Sequence, residues 1–197
     1  MKYLSNIIFA MLVCISCVAT SAAQNTKADK KAENAAELKR IINGKRYVFR
    51  ANFALPMGSA SVRVSGFSMP MNNIANAMNG GSVPLTSSYD LTLSNDTLTA
   101  FLPYYGVAYT APPMNSNEGG VKFTTTKFEY KVTEKKNGNI EIFFKPLNLD
   151  QRAPSDVQRM TLTVSAGGFA NLQITLLNRQ PISYSGRLEE YMPKKTT

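Results

Sequence analysis

From residue 46 onward, apolar and polar positions alternate along the chain, which is the pattern of half-buried β-strands. In the first run every second position is apolar, and these residues are expected to share one strand face: Tyr47, Phe49, Ala51, Phe53 and Leu55. The pattern returns within 89–93, 97–102, 121–123, 127–134, 139–145, 160–164, 170–176 and 182–188. The intervals are too short for the crossover helices of a parallel sheet. We therefore predict one antiparallel all-β domain over 46–191, a sandwich or a closed or partly closed barrel of about eight strands.

Turn chemistry separates several of these runs. Asn137-Gly138 is expected to form a tight hairpin turn joining 127–134 to 139–145, because these residue types adopt positive φ at low cost. Ser94-Asn95-Asp96 and Ala166-Gly167-Gly168 are also predicted to be turns.

A helical pattern precedes the strands, within a charged helix or linker over 24–45. Residues 26–44 combine weak helical spacing of apolar positions with the strong helix formers Ala, Lys and Glu. Only the last two turns are apolar enough to dock on the domain. Asn43-Gly44 is expected to end the helix, because glycine accepts the left-handed conformation cheaply.

One long segment, 57–88, breaks the strand pattern and is rich in Gly, Ser, Asn and Met. Loops of this length in compact domains are usually functional or disordered. Met69, Met71 and Met78 belong to a stretch within it that can form a short apolar helix over one end of the sheets. Because methionine adapts to irregular surfaces, this stretch is interpreted either as a lid packed on the core or as a flap that contacts a ligand or partner.

The first 23 residues have the pattern of a secretory signal. Lys2 precedes an uncharged apolar run, and Ser21-Ala22-Ala23 supplies the small residues needed for cleavage after Ala23. The run is too short for a membrane-spanning helix, and no later segment approaches the necessary length. We therefore expect an exported protein, periplasmic or secreted. In the alternative, Cys17 ends a lipoprotein signal and carries a lipid anchor.

The net charge of +9 lies mostly outside the predicted domain. Residues 24–46 hold seven basic and three acidic side chains, and the basic tail 192–197 adds Lys194 and Lys195. Residues 47–191 hold twelve basic and ten acidic side chains. A nucleic-acid partner is not expected, because it would need clustered basic residues on the folded domain. The basic termini are interpreted as solvated, or as an attachment to an anionic lipid or polysaccharide surface.

Several catalytic chemistries are missing. The chain has no histidine, and its only cysteines are Cys14 and Cys17. Histidine- and thiolate-based catalysis, the usual zinc sites and phosphate-binding loops are therefore not expected. Acidic residues remain, but many lie beside lysines or in turns and are interpreted as solvated, as with Asp96, Glu129, Glu134, Glu141 and Asp156. We predict no enzymatic activity, no cofactor and no metal, with a carboxylate-dependent glycan hydrolase as the remote alternative.

The stretch 101–113, FLPYYGVAYTAPP, contains the most concentrated aromatic residues. Pro103 cannot donate to a central ladder and is expected at a strand end. Of the adjacent tyrosines, one can pack inward with its hydroxyl bonded while the other is exposed. The stretch is interpreted as a structural corner, or as an aromatic contact site formed by Tyr104, Tyr105 and Tyr109.

The same stretch carries a family resemblance. Leu102-Pro103-Tyr104-Tyr105-Gly106 is similar to the central motif of a family of exported Bacteroidetes proteins, the domain-of-unknown-function family 4251. Further elements agree with it over 46–189: Ala108, Gly119-Gly120, Phe123, Gly168-x-Ala170-x-Leu172, Asn178-Arg179 and Ile182-Ser183-Tyr184-x-Gly186. The resemblance implies export and a single domain, and it implies no catalytic or binding residues.

Two functions follow as expectations. The first is a non-catalytic binding or assembly module of the cell envelope, whose partner is an unidentified envelope component, glycan or lipid. Its candidate contacts are Tyr104, Tyr105, Tyr109, Met69, Met71 and Met78. The alternative is a barrel that carries a small apolar ligand of lipid type in an enclosed pocket.

Overall fold

The computed structural model describes residues 32–56, 81–110, 119–136, 138–150, 152 and 154–193. Helix α1 occupies 32–43. Ten strands follow: β1 (Arg46–Pro56), β2 (Val83–Pro84), β3 (Asp90–Ser94), β4 (Thr97–Pro103), β5 (Gly120–Thr125), β6 (Phe128–Glu134), β7 (Ile140–Pro146), β8 (Val157–Val164), β9 (Phe169–Leu176) and β10 (Ile182–Glu190). The predicted signal segment and the three candidate methionines, Met69, Met71 and Met78, lie outside the described residues.

The strands form one antiparallel sheet in the order β5-β4-β3-β1-β10-β9-β8-β7-β6, with β2 paired to β1. Because the path holds an odd number of antiparallel strands, its two edge strands run in the same direction. Those edges, β5 and β6, are separated only by residues 126–127. They are therefore two halves of one bent run, the first paired with β4 and the second with β7. This arrangement confirms the antiparallel all-β prediction and makes the sheet a nearly closed barrel.

The inside of the sheet is filled by large apolar side chains. Alternate positions of most long strands are buried, as the period-two pattern predicts. The largest fully buried side chains include Tyr47, Phe49, Phe144, Met160 and Tyr184. Burying one such side chain contributes roughly 1.5–3 kcal/mol, so this interior provides most of the stabilisation in a domain without disulfides.

Helix α1 docks through its last two turns, as predicted. Leu38 and Ile42 are buried in the common core. Gly44, however, is not the left-handed residue: its N–H closes the helix on the carbonyl of Arg40 at 3.0 Å. Positive φ occurs one residue later, at Lys45 (φ 50°). The helix therefore ends near the predicted position by different local geometry.

Strand β1 departs from the predicted alternation. Its register against β10 shifts between Ala51 and Phe53, which places a β-bulge there. Beyond the bulge the faces exchange, so that Ala54 is buried while Phe53 is 43% exposed. The prediction that Phe53 and Leu55 continue the inner face is therefore wrong. Opposite the bulge, Gly186 has no room for a Cβ, which would overlap the carbonyl oxygen of Arg50.

The hairpins follow from glycine at positive φ. In the loop between β6 and β7, the N–H of Gly138 (φ 81°) donates to the carbonyl of Lys135 at 2.9 Å. The N–H of Lys135 donates to the carbonyl of Asn139 at 2.8 Å, so three residues lie between the last bonded pair. The predicted hairpin between β6 and β7 is confirmed, with Gly138 at positive φ, whereas Asn137 lies outside the described residues. The β8–β9 turn repeats the pattern with Gly168 at φ 77°.

The segment predicted as one long loop, 57–88, contains a short strand. In β2, Val83 is fully buried and pairs with Ala54 of β1. Its isolated apolar position gave no alternation to detect. Among the described residues, no helix is long and apolar enough to cross a membrane.

Candidate functional site

The aromatic stretch after β4 turns into the protein rather than away from it. Tyr104 and Tyr105 are both buried, whereas the sequence allowed one of them to be exposed. The Tyr104 hydroxyl lies 3.0 Å from the carbonyl oxygens of Val107 and Gln180. Burial raises the pKa of Tyr104. The pKa of Tyr105 is raised to about 12, mainly by burial and to a smaller extent by nearby Tyr89. Both hydroxyls therefore remain protonated at neutral pH.

Gly106 allows this compact turn. A Cβ at position 106 would lie 2.5 Å from the Tyr104 hydroxyl oxygen, closer than a side chain can approach. The glycine directly after the tyrosine pair is therefore a requirement of the Tyr104 position. The residues after Gly106 form main-chain hydrogen bonds to the segment between β9 and β10. The Tyr109 N–H donates to the main-chain carbonyl of Asn178 at 2.8 Å, and the Gln180 N–H donates to the carbonyl of Val107 at 2.9 Å. The Tyr109 side chain itself is 65% exposed.

Arg179 joins the elements around this turn. Its guanidinium is buried against the carboxylate of Asp156, to which it donates through Nε and Nη2. Nη1 donates to the Gly120 carbonyl at 2.7 Å, and Nη2 lies 3.4 Å from that of Pro154. The guanidinium carbon lies 4.5 Å from the centroid of the Tyr104 ring, a cation–π contact. We call these residues, Tyr104, Gly120, Pro154, Asp156 and Arg179, the Arg179 cluster.

The Arg179 cluster corrects one expectation from the sequence. Asp156 was interpreted as solvated, but it is buried. Its carboxylate also accepts the Asn178 N–H at 3.3 Å. A buried carboxylate is tolerated here because a guanidinium and a main-chain donor surround it.

Tyr184 adds the remaining connection. It is fully buried on β10, and its hydroxyl donates to the Pro103 carbonyl at 2.5 Å. Burial raises its pKa well above the usual range. The fold brings together residues from separate parts of the sequence: the Leu-Pro-Tyr-Tyr-Gly run, Gly120, Arg179 and Tyr184.

The family model of the domain of unknown function DUF4251 matches residues 29–188. The chain belongs to the DUF4251 family. It is also similar to the crystal structure of a DUF4251 family protein from Bacteroides eggerthii DSM 20697, with 20% sequence identity and a TM-score of 0.50. That alignment covers 81% of this chain and 89% of the other and supports the fold. No curated protein matches this DUF4251 chain.

The polar side chains of the Arg179 cluster are hydrogen-bonded within the protein. Every buried side-chain polar atom in the described part of the chain has a hydrogen-bond partner. In the same part of the chain, no three acidic or cysteine side chains group as metal ligands do. The contacts of the cluster join the end of β4, the start of β5 and the segments before β8 and β10.

A different set of side chains faces outward from the barrel. The strand register places six residues side by side across β5, β4, β3, β1, β10 and β9. We call this set the outer row: Lys122, Phe101, Asp90, Arg50, Arg187 and Phe169. Its two rings are 41% exposed for Phe101 and 64% exposed for Phe169. Four strand spacings separate the strands that carry them, about 19 Å measured along the curved sheet.

Each exposed ring in the outer row lies beside a cation. The Lys122 ammonium is 5.0 Å from the Phe101 ring centroid, and the Arg187 guanidinium carbon is 4.6 Å from that of Phe169. Tyr89 also stacks on Phe101, with the two ring centroids 5.8 Å apart. The outer row thus combines apolar faces with positive charge at both of its ends.

The middle of the outer row is ionic. Arg50 Nε donates to Glu189 at 2.9 Å, with both side chains half exposed. Burial raises the pKa of Asp90, while the charge of Arg50 and a hydrogen bond from Thr92 oppose that shift. The row therefore offers charges of both signs between its two aromatic ends.

The predicted contact residues and the outer row do not coincide. Tyr104 and Tyr105 belong to the core, Tyr109 is exposed near the Arg179 cluster, and their role as ligand contacts stays a prediction. Sequence reasoning missed Phe101 and Phe169, although both occupy the polar positions of their strands. That signal becomes visible only when the register places the two strands on one face.

Proposed function

We propose that this DUF4251 protein is a non-catalytic binding module of the cell envelope, which contacts its partner through the outer row. The observation that carries the proposal is the alignment of two exposed phenylalanine rings, each beside a cation, on one face of the sheet. Single exposed apolar side chains are common on protein surfaces. Aromatic and arginine side chains are instead enriched in protein interfaces.

The packed interior supports a surface site. A carrier of apolar ligands needs an enclosed pocket of roughly 300 Å³ or more. The inward positions of the described strands hold large side chains that are fully buried, among them Phe49, Phe144 and Tyr184. This packing does not favour the carrier, and recognition at the outer surface accounts better for the exposed rings.

The arrangement of the carboxylates supports a non-catalytic role. A glycan hydrolase positions two carboxyl groups about 5–9.5 Å apart around its substrate. Asp156 is instead held by Arg179 in the core. Several exposed or half-buried glutamates are paired with cations: Glu129 with Lys145, Glu134 with Lys39, Glu141 with Lys135 and Glu189 with Arg50.

The partner best suited to the outer row is an anionic glycan of the envelope. The phenylalanine rings can stack on the apolar faces of sugar rings, and the guanidinium of Arg187 can pair with carboxylate or phosphate groups. An anionic lipid surface shares part of this chemistry. The two are separated by testing soluble glycans and lipid vesicles side by side.

Export is part of the proposal and rests on the pattern of the first 23 residues. N-terminal sequencing and intact mass of the protein from its host test it directly. A chain that begins at Gln24 supports export after cleavage. A lipidated Cys17 would place the same module on an anchored envelope protein, and an intact Met1 terminus would contradict export.

Binding is tested with envelope glycans, measured by affinity electrophoresis and calorimetry. Phe101→Ala and Phe169→Ala are expected to weaken binding by about tenfold or more each, because truncating a hot-spot side chain costs about 2 kcal/mol or more and about 1.4 kcal/mol corresponds to tenfold. Leu177→Ala is the matched control, since Leu177 is an exposed apolar residue outside the outer row. Equal binding by all variants would refute the role of the row. Release of sugar during incubation would identify an enzyme.

A further inference from the structure

The two edges of the sheet differ in how their main-chain groups are satisfied. On β5, the Gly120 carbonyl accepts from Arg179 at 2.7 Å. The Lys122 N–H donates to Pro154 at 3.4 Å, and the Lys122 carbonyl accepts from the Ser155 hydroxyl at 3.1 Å. The start of β5 is therefore covered by Arg179 and by the segment that precedes β8.

The other edge, β6, has no such cover among the described residues. Main-chain hydrogen bonds close both ends of its ladder with β7. The Leu147 N–H donates to the carbonyl of Lys127, and the Lys135 N–H donates to the carbonyl of Asn139, both at 2.8 Å. Hydrogen-bonded pairs recur at every second residue of an antiparallel ladder, so the odd-numbered residues of 127–135 bond to β7. The remaining main-chain groups point away from β7: those of Phe128, Tyr130, Val132 and Glu134.

The side chains along this edge are also accessible. Residues 131–134 are exposed on both faces of the strand, and even the apolar Val132 is 38% exposed. No described strand pairs with β6 on this side. An accessible edge with unpaired main-chain groups is a template for another strand.

We propose that β6 pairs with β6 of a second copy of this chain, antiparallel, about a two-fold axis at Tyr130. In this register Glu129 of each copy lies opposite Lys131 of the other, and Phe128 lies opposite Val132. Three pairs exchange main-chain hydrogen bonds, about six bonds in all. Opposite charges and apolar side chains therefore face one another along the whole contact.

The charge pattern selects this register over its neighbours. An axis at Lys131 would place the two Lys131 ammonium groups opposite each other. An axis at Glu129 would place the two Glu129 carboxylates opposite each other. It would also place Lys127 of each copy opposite Lys131 of the other. Like charges directly opposite destabilise a strand pair, so the axis at Tyr130, which forms two Glu–Lys pairs, is favoured over both of these neighbours.

Sedimentation equilibrium of the purified chain, up to about 1 mM, measures the association. The unchanged chain is expected to form dimers as concentration rises. Glu129→Lys and Lys131→Glu each place like charges opposite one another at two positions. For each variant alone, the dissociation constant of the dimer should be at least about tenfold higher than for the unchanged chain. Arg159→Glu, an equal charge reversal on β8 and away from β6, should leave the dimer unchanged.

Mixing the two variants gives the deciding result. The Glu129→Lys chain is positive at both positions and the Lys131→Glu chain is negative at both, so a mixed dimer again opposes unlike charges throughout. The mixture should therefore dimerise as well as the unchanged chain. A chain that stays monomeric throughout would overturn the proposal and show that the charges of β6 protect its edge. A dimer insensitive to both variants, or a mixture that does not recover, would equally overturn it.

Discussion

Replacing Arg179 with methionine tests whether the Arg179 cluster anchors the end of β4 in the fold. The substitution removes the guanidinium and leaves Asp156 buried without a counter-charge. It also removes the donor to the Gly120 carbonyl and the contact with the Tyr104 ring. Breaking one side of a buried ion pair costs about 3–5 kcal/mol. For a domain of this size that corresponds to a fall in Tm of roughly 6–20 °C.

Denaturant unfolding followed by circular dichroism, together with a thermal melt, measures this loss. Arg159→Met is the matched control, because Arg159 is exposed and makes one side-chain hydrogen bond, to Thr175. It should change the free energy of unfolding by less than about 0.5 kcal/mol. Adding Asp156→Leu to Arg179→Met should recover part of the loss, because it removes the orphaned carboxylate. If Arg179→Met stays within about 1 kcal/mol of the unchanged protein, the anchoring role is refuted.

Three further effects follow from the same contacts. Gly106→Ala should destabilise the fold by about 1–3 kcal/mol, measured by denaturant unfolding, because its Cβ would displace the Tyr104 hydroxyl. Gly186→Ala should cost at least as much, since its Cβ would overlap the main chain of Arg50, and an unchanged midpoint would contradict the bulge geometry. Burial raises the pKa of Tyr105 from 10.0 to about 12. The folded state therefore holds this proton more tightly than the unfolded state, and stability should fall as the pH rises from about 10 to 12. Tyrosinate absorbance recorded beside circular dichroism checks this, and constant stability across that window would count against it.

The sequence predicts most strands and the helix correctly, because the spacing of apolar residues along each element determines which of its faces is buried. Alternation of apolar positions defines the strand faces, and the last turns of α1 dock through Leu38 and Ile42 as their spacing predicts. The bulge in β1 could not be found this way, because it depends on Gly186, which lies in β10 at the other end of the chain. The exposure of Phe53 is therefore a long-range effect on a locally regular sequence.

The contacts of the Arg179 cluster were hidden for a similar reason. From the sequence alone, a charged side chain is expected to be solvated. Arg179 is buried because the fold places the Asp156 carboxylate and the Tyr104 ring beside its guanidinium. The available signal was the family resemblance, since its separate elements meet in this cluster. The outer row lacked even that signal, because Phe101 and Phe169 become neighbours of one face only through the register.

The chemistry of the contacts explains how a family motif can specify the fold without specifying a ligand. The Tyr104 hydroxyl, the Tyr184 hydroxyl and Arg179 all bond to main-chain carbonyl oxygens. Such contacts fix where three chain segments cross, whatever side chains the accepting residues carry. The outer row has the opposite character, because its cation–π contacts and its ion pair each join two side chains, and loss of these contacts leaves the crossings intact. Under the proposed function, partner recognition can therefore change on the outer row while the barrel is maintained by the motif.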